Sequence, residues 1–126
     1  RGLTWVNTPS HGGFMAARGW AERHLSPEAL AEGEICGNYY AFEEDCACNV
    51  IFLEYPHPRY LLWFTNYKSL AELVTDAQRV ISVWLPIYAL KRNLFVNRQR
   101  AEEAVNETWR RAAWRQELRQ LLDATA

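Results

Sequence analysis

The 126-residue chain lacks the features that mark several common protein classes. No apolar run approaches the roughly 20 residues that a helix needs to span a bilayer, and the start, Arg1-Gly2-Leu3, has no apolar signal-peptide core. The chain also has no phosphate-cradling glycine loop, no nicotinamide-binding fingerprint and no zinc-protease helix motif. These absences argue against the common nucleotide-dependent enzymes, and they predict a cytoplasmic protein with no membrane contact and no cofactor.

Cysteine is scarce, and the three cysteines form an odd set without a disulfide framework, which favours a reducing compartment. Two of them combine with two histidines into a set of candidate zinc ligands: Cys46, Cys48, His57 and His11. The Cys-x-Cys spacing is not the usual zinc clamp, and side chains two apart on a helix diverge. We therefore predict no metal site, and we interpret His24 and His57 as surface or loop residues.

The net charge is only −1, but the charges are unevenly distributed. Residues 1–90 contain six Lys or Arg and ten Asp or Glu, whereas residues 91–126 contain eight and five. The pI near 6.3 argues against a protein that coats duplex DNA, so we predict no direct nucleic-acid binding. An acidic body can instead occupy a site that normally receives phosphates, and it attracts a basic partner.

The length suits one domain, with a body over 1–90 that carries the motifs and a basic C-terminal helical segment over 91–126. The predicted fold class is α+β, with a small antiparallel sheet packed by helices and a long C-terminal helix. Six tryptophans in so short a chain favour a protein interface, because large aromatic side chains dominate binding surfaces as well as cores.

The first half of the chain predicts short elements. A strand is expected over Leu3–Asn7, with a second over 14–17 that continues it or pairs with it. Ser26 as the cap and Pro27 in the first turn predict the start of a helix that Gly33 ends.

Two further segments are rich in apolar residues. The stretch 43–55 has helical spacing, although 50–53 also suits a buried strand. We predict a helix, whose first turn would contain Glu43, Glu44 and Asp45, where the acids complement the helix dipole. The aromatic run within 59–66 predicts a core strand.

Two helices are predicted in the second half. Ser69 and Glu72 form a capping box for a helix that runs to Pro86. Good helix formers continue without Gly or Pro over 97–122 and predict one long helix. Its apolar stripes include Trp109 and Trp114. The surface left over on such a helix can bind a partner or a second copy, which would give a homodimer.

The most informative motif follows the first strand and consists of Thr8, Pro9, Ser10, His11, Gly12 and Gly13. In one interpretation Thr8, Pro9, Gly12 and Gly13 form a turn, and His11 is simply solvated or packed. In the other interpretation the glycines let a ligand or an oxyanion approach backbone amides beside His11, which titrates near neutral pH and can act as a general base.

Two more motifs follow along the chain. An aromatic run, Tyr39-Tyr40-Ala41-Phe42, precedes the acidic cluster Glu43-Glu44-Asp45 and Cys46, and Trp84-Leu85-Pro86-Ile87-Tyr88 comes later. With these three motifs the chain resembles an uncharacterised family of small proteins encoded mainly on phages, plasmids and integrated elements of bacteria. The resemblance implies a mobile-element origin and does not imply a reaction.

The first functional hypothesis is a non-enzymatic inhibitor that binds a host defence protein or ribonucleoprotein complex, of CRISPR or restriction type. Its acidic surface would imitate nucleic acid. The expected binding residues are Glu43, Glu44, Asp45, Tyr39, Tyr40, Trp109 and Trp114.

The alternative is a small hydrolase or transferase that modifies a host macromolecule. His11 would be its acid or base, and an acid of the cluster Glu43, Glu44 and Asp45 would be its partner. Ser10 or Cys46 would be the nucleophile. We favour the inhibitor, because the chain has no nucleophile elbow, metal clamp or cofactor motif.

Overall fold

Four antiparallel strands form one sheet. The computed structural model describes residues 2–7, 9, 12–94, 97–107 and 112–124, the side chains of 112–115 excepted. The strands are β1 (Leu3–Asn7), β2 (Gly12–Ala17), β3 (Glu34–Cys36) and β4 (Tyr39–Glu43), in the spatial order β1-β2-β4-β3. The two strands predicted at the start of the chain are therefore confirmed, and they pair with each other.

One face of the sheet forms part of the protein core. Trp5, Phe14 and Phe42 lie opposite one another across three strands, and Ala16 lies opposite Tyr40. Phe14, Phe42 and Ala16 are completely buried, and Tyr40 is 8% exposed. Because side chains alternate along a strand, the residues between them point to the opposite face.

Among the described residues up to 84 the helices are α1 (Arg18–His24), α2 (Pro27–Leu30), α3 (Cys48–Glu54), α4 (Tyr60–Trp63) and α5 (Leu70–Trp84). Helices α3 and α4 cover the core face of the sheet, since Phe52 and Tyr60 each place a ring 5.6 Å from that of Phe14. The α+β class with a small antiparallel sheet packed by helices is confirmed.

The predicted capping residues hold the starts of two helices. Ser26 accepts the Ala29 N–H at 3.1 Å and begins α2. Ser69 accepts the Glu72 N–H at 3.1 Å, and the Glu72 carboxylate accepts the Lys68 N–H at 3.1 Å. Both helix starts were therefore predicted correctly from local sequence.

Two predictions for this region are wrong. The segment 59–66 is not a strand, because it contains the helix α4, in which Tyr60 and Trp63 stack at 6.2 Å. Residues three apart share one side of a helix but not of a strand, so only the helix lets both rings contact Phe14. The helix predicted over 43–55 exists but begins only at Cys48, because β4 pairs with β2 as far as Glu43.

The chain comprises two compact units, Arg1–Val80 and Ile81–Ala126. The second contains α6 (Pro86–Lys91), α7 (Arg98–Glu107) and α8 (Ala112–Ala124). Its buried core consists of Leu90, Ala101, Val105, Leu118 and Leu122. The prediction of a single domain stays a prediction, and the second unit begins ten residues before the helical segment predicted from 91.

The single long helix predicted over 97–122 is instead two helices that lie side by side. An Arg119 guanidinium nitrogen lies 2.8 Å from a Glu102 carboxylate oxygen, although the two residues are 17 positions apart. A straight helix would separate them by about 25 Å. Folding back buries Val105 of α7 together with Leu118 of α8, which a lone helix would leave exposed. None of the helices in the described part of the chain is long and apolar enough to cross a bilayer.

Candidate functional site

The pairing of β2 with β4 brings the first two sequence motifs together. Gly13 lies opposite Glu43 in the register of the two strands. At the end of the ladder, the Glu44 N–H donates to the Gly12 carbonyl oxygen at 3.0 Å, and the Gly12 N–H donates to the Glu44 carboxylate at 3.2 Å. The glycine pair and the acidic cluster, 30 residues apart in sequence, therefore form one corner of the sheet.

The two glycines belong to a strand, so their predicted place in a turn is wrong. Both are paired residues of β2, and their lack of a side chain lets neighbouring groups approach. A Cβ atom on Gly13 would collide with the Phe42 carbonyl oxygen, and one on Gly12 would lie 2.8 Å from Asn7 Oδ1. The protein itself fills this space, and Glu44 already uses the Gly12 N–H. These contacts argue against the expected approach of an oxyanion to Gly12.

Of the other four residues of the first motif, the structure describes Pro9. Pro9 is an exposed residue in a bend. Thr8, Ser10 and His11 lie outside the described residues, so their expected roles as turn residue, nucleophile and acid or base stay predictions.

The three acids of the second motif are exposed. Glu43 is the last residue of β4, and Glu44 and Asp45 lie in the turn after it. The prediction that they form the first turn of a helix is wrong, because α3 begins three residues after Asp45. They instead place consecutive carboxylates at one end of the sheet.

The surroundings of the two neighbouring thiols, Cys46 and Cys48, favour the protonated form. Burial raises the pKa of Cys46, and the charges of Glu43, Asp45 and Glu32 raise it further. Burial raises the pKa of Cys48 more strongly, and its thiol donates to the Glu44 carbonyl oxygen at 2.8 Å. A thiolate is the reactive form, so these surroundings argue against Cys46 as a catalytic nucleophile. Within the described residues, no three His, Cys, Asp or Glu are grouped to hold a metal ion.

The face of the sheet that points away from the core is apolar over much of its area. We call it the outer face. By the strand register it comprises Thr4, Val6, Gly13, Met15, Ala17, Glu34, Cys36, Tyr39, Ala41 and Glu43. None of these residues is buried. Val6 is 39% and Tyr39 is 46% exposed. The outward face of an antiparallel sheet is commonly polar, so the exposed Val6 and Tyr39 side chains distinguish this face from an ordinary solvated one.

Charge on the outer face has one sign. Glu43 lies in the same row as Val6 and Gly13, and Glu34 lies in the same row as Met15 and Ala41. None of the outer-face residues is basic. Glu44 and Asp45 extend the negative charge beyond the end of β4. The surface thus combines an apolar centre with an acidic border, which is the general anatomy of a protein interface.

The predicted aromatic binding residues divide between the two faces. Tyr39 is exposed on the outer face, as a binding residue must be. Tyr40 points into the core and is only 8% exposed, so its assignment as a binding residue is wrong. Trp109 lies outside the described residues, and so does the side chain of Trp114.

Sequence reasoning missed several exposed or clustered aromatic residues. Trp84 ends the apolar pattern of α5, but it is 58% exposed and the Arg100 guanidinium lies 5.1 Å from its ring centre. His57 is more than the loop residue that the sequence predicts, because it lines a small cavity together with Tyr55 and Trp63. The only local sign of this cavity in the sequence was the unusual run Pro56-His57-Pro58. The rings that line the cavity come from segments that are far apart in the chain.

Comparisons of the chain with protein families, with curated proteins and with solved structures found no match. Any functional assignment therefore depends on the surface of the molecule and on the three sequence motifs.

Proposed function

We propose that this protein is an inhibitor encoded by a mobile element, which binds a host defence protein or ribonucleoprotein complex of CRISPR or restriction type. It acts in the bacterial cytoplasm by occupying a surface of its target, without catalysis. The observation that carries this proposal is the outer face of the sheet, where exposed Val6 and Tyr39 share one open surface with the carboxylates of Glu34 and Glu43.

The apolar centre and the acidic border have different roles in binding. Burying the apolar residues supplies most of the affinity, because desolvation of apolar area drives association. The carboxylates of Glu43, Glu44 and Asp45 attract a basic partner and orient it. A defence complex that handles nucleic acid has a basic surface for phosphates, and an acidic protein surface fits that site. The same charge repels nucleic acid itself.

The sequence motifs support this assignment through their place in the fold. Gly13 allows β4 to approach β2 closely, and Glu44 closes the corner through its two hydrogen bonds to Gly12. These contacts fix Glu43 at the end of the outer face, and Asp45 follows in the exposed turn after β4. Two of the three motifs behind the resemblance to a mobile-element family therefore meet at the acidic corner, through Gly12, Gly13, Glu43 and Glu44.

The test is phage plating on bacteria with and without an active CRISPR or restriction system, with the protein expressed in both. Wild type should restore plating on the defended host. The variant E43K/D45K should lose this effect, because it reverses two exposed charges and leaves the Glu44 bonds to Gly12 intact. The matched control is E107K/E117K, which changes the net charge equally at exposed positions of α7 and α8.

Thermal unfolding of all three proteins shows whether the variants remain folded. Inhibition by E43K/D45K equal to that of wild type would exclude the acidic corner as the binding surface. Equal loss in E107K/E117K would mean that total charge matters and not position. A wild-type protein that leaves plating unchanged on every defended host would overturn the proposed function.

A second candidate, the small hydrolase or transferase, is favoured by one observation, the contact between the His-Gly-Gly and Glu-Glu-Asp-Cys motifs through Gly12 and Glu44. It predicts that His11→Ala abolishes activity while binding to the target is kept. Mass spectrometry of the target before and after exposure to wild type would show the covalent change. A full inhibitory effect of His11→Ala would exclude this candidate.

The predicted homodimer through the C-terminal helix stays a prediction. Val105 and Leu118, from the two apolar stripes of that segment, are both buried in the core of the second unit, so they are not available to a second copy. Light scattering after size-exclusion chromatography would measure the oligomeric state directly.

A further inference from the structure

A chain of aromatic rings surrounds a small cavity in the first unit. The cavity has a volume of about 130 Å³ and is lined by Leu3, Trp20, Tyr55, His57, Arg59, Tyr60 and Trp63. The Trp20 and Tyr55 rings meet edge to face at 4.9 Å, and Tyr55 and His57 stack at 6.2 Å. This cavity does not include any residue of the acidic corner or of the outer face.

The walls of the cavity are held in place by packing and by hydrogen bonds. Tyr60 is 2% exposed, and its hydroxyl donates to the Tyr55 carbonyl oxygen. Trp20 is 7% exposed. Pro56 and Pro58 flank His57, and proline restricts both its own backbone and that of the preceding residue. The cavity is therefore preformed, so a ligand would spend little binding free energy on ordering it.

Two residues that line the cavity, His57 and Arg59, carry hydrogen-bond donors. The Arg59 N–H donates to His57 Nδ1 at 3.0 Å, so the proton of the neutral His57 ring lies on Nε2. The Arg59 side chain is exposed and lies in no ion pair with the described residues. Among the described residues that line the cavity, none is acidic. Because Arg59 and His57 both line this space, a guanidinium and an imidazole N–H are within reach of a ligand there, and this pair favours an anion.

The volume sets the size of the ligand. An engineered apolar cavity of about 150 Å³ holds benzene, whereas sites for drug-sized ligands begin at about 300 Å³. The cavity of about 130 Å³ is thus comparable in size to a single six-membered ring. Aromatic walls stack well on such a ring through offset and edge-to-face contacts.

We propose that this cavity binds a small anion built on a single six-membered aromatic ring, with the ring between the aromatic side chains and the negative group at Arg59 and His57. An aromatic carboxylate carries both groups within one small molecule, whereas a pyrimidine mononucleotide would place only its base in the cavity and its phosphate outside it, at the exposed Arg59. The binding site is independent of the proposed inhibitor function, because it uses no residue of the outer face.

The test is a titration of the full chain followed by NMR, with the indole N–H of Trp63 as the reporter. The probes are benzoate, uridine monophosphate, the neutral benzamide and the cation benzylammonium. We expect saturable binding of benzoate or of uridine monophosphate with a Kd of about 1 mM or below. Benzamide should bind about tenfold more weakly than benzoate, because it lacks the charge that Arg59 recognises. The affinities of benzoate and uridine monophosphate show whether the natural ligand is an aromatic carboxylate or a pyrimidine mononucleotide.

Two variants and one control separate the contributions of charge and stacking. Arg59→Gln should lower the affinity for the bound anion about tenfold and leave that for benzamide unchanged. Trp63→Leu should weaken both, whereas Trp84→Leu, an exposed tryptophan that does not line the cavity, should change neither. In the Trp63→Leu protein the reporter is the Trp20 indole.

Three results would overturn the assignment. The first is no saturable binding of either anion up to about ten times the expected Kd. The second is equal binding of benzylammonium and benzoate, which would exclude recognition of negative charge. The third is an Arg59→Gln protein, folded by circular dichroism, that keeps wild-type affinity for the anion.

Discussion

Gly13 of β2 lies so close to Phe42 of β4 that a Cβ atom on residue 13 would collide with the Phe42 carbonyl oxygen. The two residues are 29 positions apart, and they meet because Gly13 pairs with Glu43, the neighbour of Phe42. The atom that would have to move is a backbone oxygen within the sheet, which cannot rotate away as a side chain can. The absence of a side chain at position 13 is therefore a requirement of the fold.

Gly13→Ala should lower the free energy of unfolding by about 1–3 kcal/mol, because an added methyl group in a packed site forces a backbone shift. Urea unfolding followed by circular dichroism measures the change. Gly19→Ala is the matched control: Gly19 lies in α1 and a Cβ atom there would meet only Arg23 Nη1, at 3.7 Å. That control should raise stability by up to about 1 kcal/mol, since alanine favours helix. A Gly13→Ala protein as stable as wild type would contradict the close approach.

Glu54 and Ser26 connect the end of α3 to the start of α2. The Glu54 carboxylate accepts the Ser26 N–H and the Ser26 hydroxyl hydrogen, both at 2.7 Å. Glu54→Ala should lower the free energy of unfolding by about 1–3 kcal/mol, because both donors lose a charged acceptor in a part-buried site. Thermal unfolding measures this loss. Glu22→Ala serves as the control, because Glu22 forms only a 4.0 Å surface pair with Arg18, and it should change stability by less than about 0.5 kcal/mol. Equal losses of stability in the two variants would exclude a stabilising role for the hydrogen bonds between Ser26 and Glu54.

The hydrogen bond between Tyr67 and Asp76 makes the stability of the fold depend on pH in the alkaline range. The hydrogen bond to the Asp76 carboxylate raises the pKa of Tyr67 from 10.0 to about 12. Because this folded-state pKa exceeds the unfolded value, the stabilisation is complete below pH 10 and is lost as the pH rises through 12. Tyr67→Phe should lower the free energy of unfolding at pH 7 by about 1 kcal/mol. The difference between wild type and Tyr67→Phe should shrink over that alkaline range, and a constant difference would contradict the hydrogen bond.

The three thiols should react at very different rates. Cys36 is exposed, Cys46 is half-buried with a raised pKa, and Cys48 is buried. With Ellman's reagent at neutral pH, Cys36 should react first, Cys46 at least about tenfold more slowly, and Cys48 only in denaturant. Cys36→Ser should remove the fast phase alone. A Cys46 thiol that reacts as fast as Cys36 would restore it as a candidate nucleophile.

Leu118 tests the paired helices of the second unit. It is completely buried with Val105, so Leu118→Ala should lower the free energy of unfolding by about 2–5 kcal/mol through the cavity it leaves. Gln120→Ala, an exposed change on the same helix, should alter it by less than about 0.5 kcal/mol. If α7 and α8 formed one straight helix, Leu118 would lack these contacts and both changes would have small effects. Urea unfolding at one protein concentration separates the two outcomes.

Local signals in the sequence predicted local structure well. The caps at Ser26 and Ser69 identified two helix starts, and a short apolar run identified the strand Leu3–Asn7. These signals act through neighbouring residues, so they do not depend on the rest of the fold. The aromatic run 59–66 misled the prediction, because aromatic residues favour strands in general while here their rings pack on Phe14 from a short helix.

The candidate site was predictable only in part. The acidic cluster and Tyr39 were recognised, and the structure places them on or beside one open face. The sequence could not show which of Tyr39 and Tyr40 is exposed. Adjacent strand residues point to opposite faces, and the sequence does not say which face is covered. The ring cavity at His57 was missed, since its walls come from β1, α1 and the segment that contains α4.

The sequence by itself determined the α+β class, the first two strands, the starts of α2 and α5, and the separation of acidic from basic residues. Each of these depends on composition or on contacts between near neighbours. Only the tertiary structure decided that Gly13 faces the backbone of β4, that the outer face is open and acidic at its border, and that α7 and α8 fold together. Those features depend on strand pairing and packing between residues far apart in the chain, which no local pattern specifies.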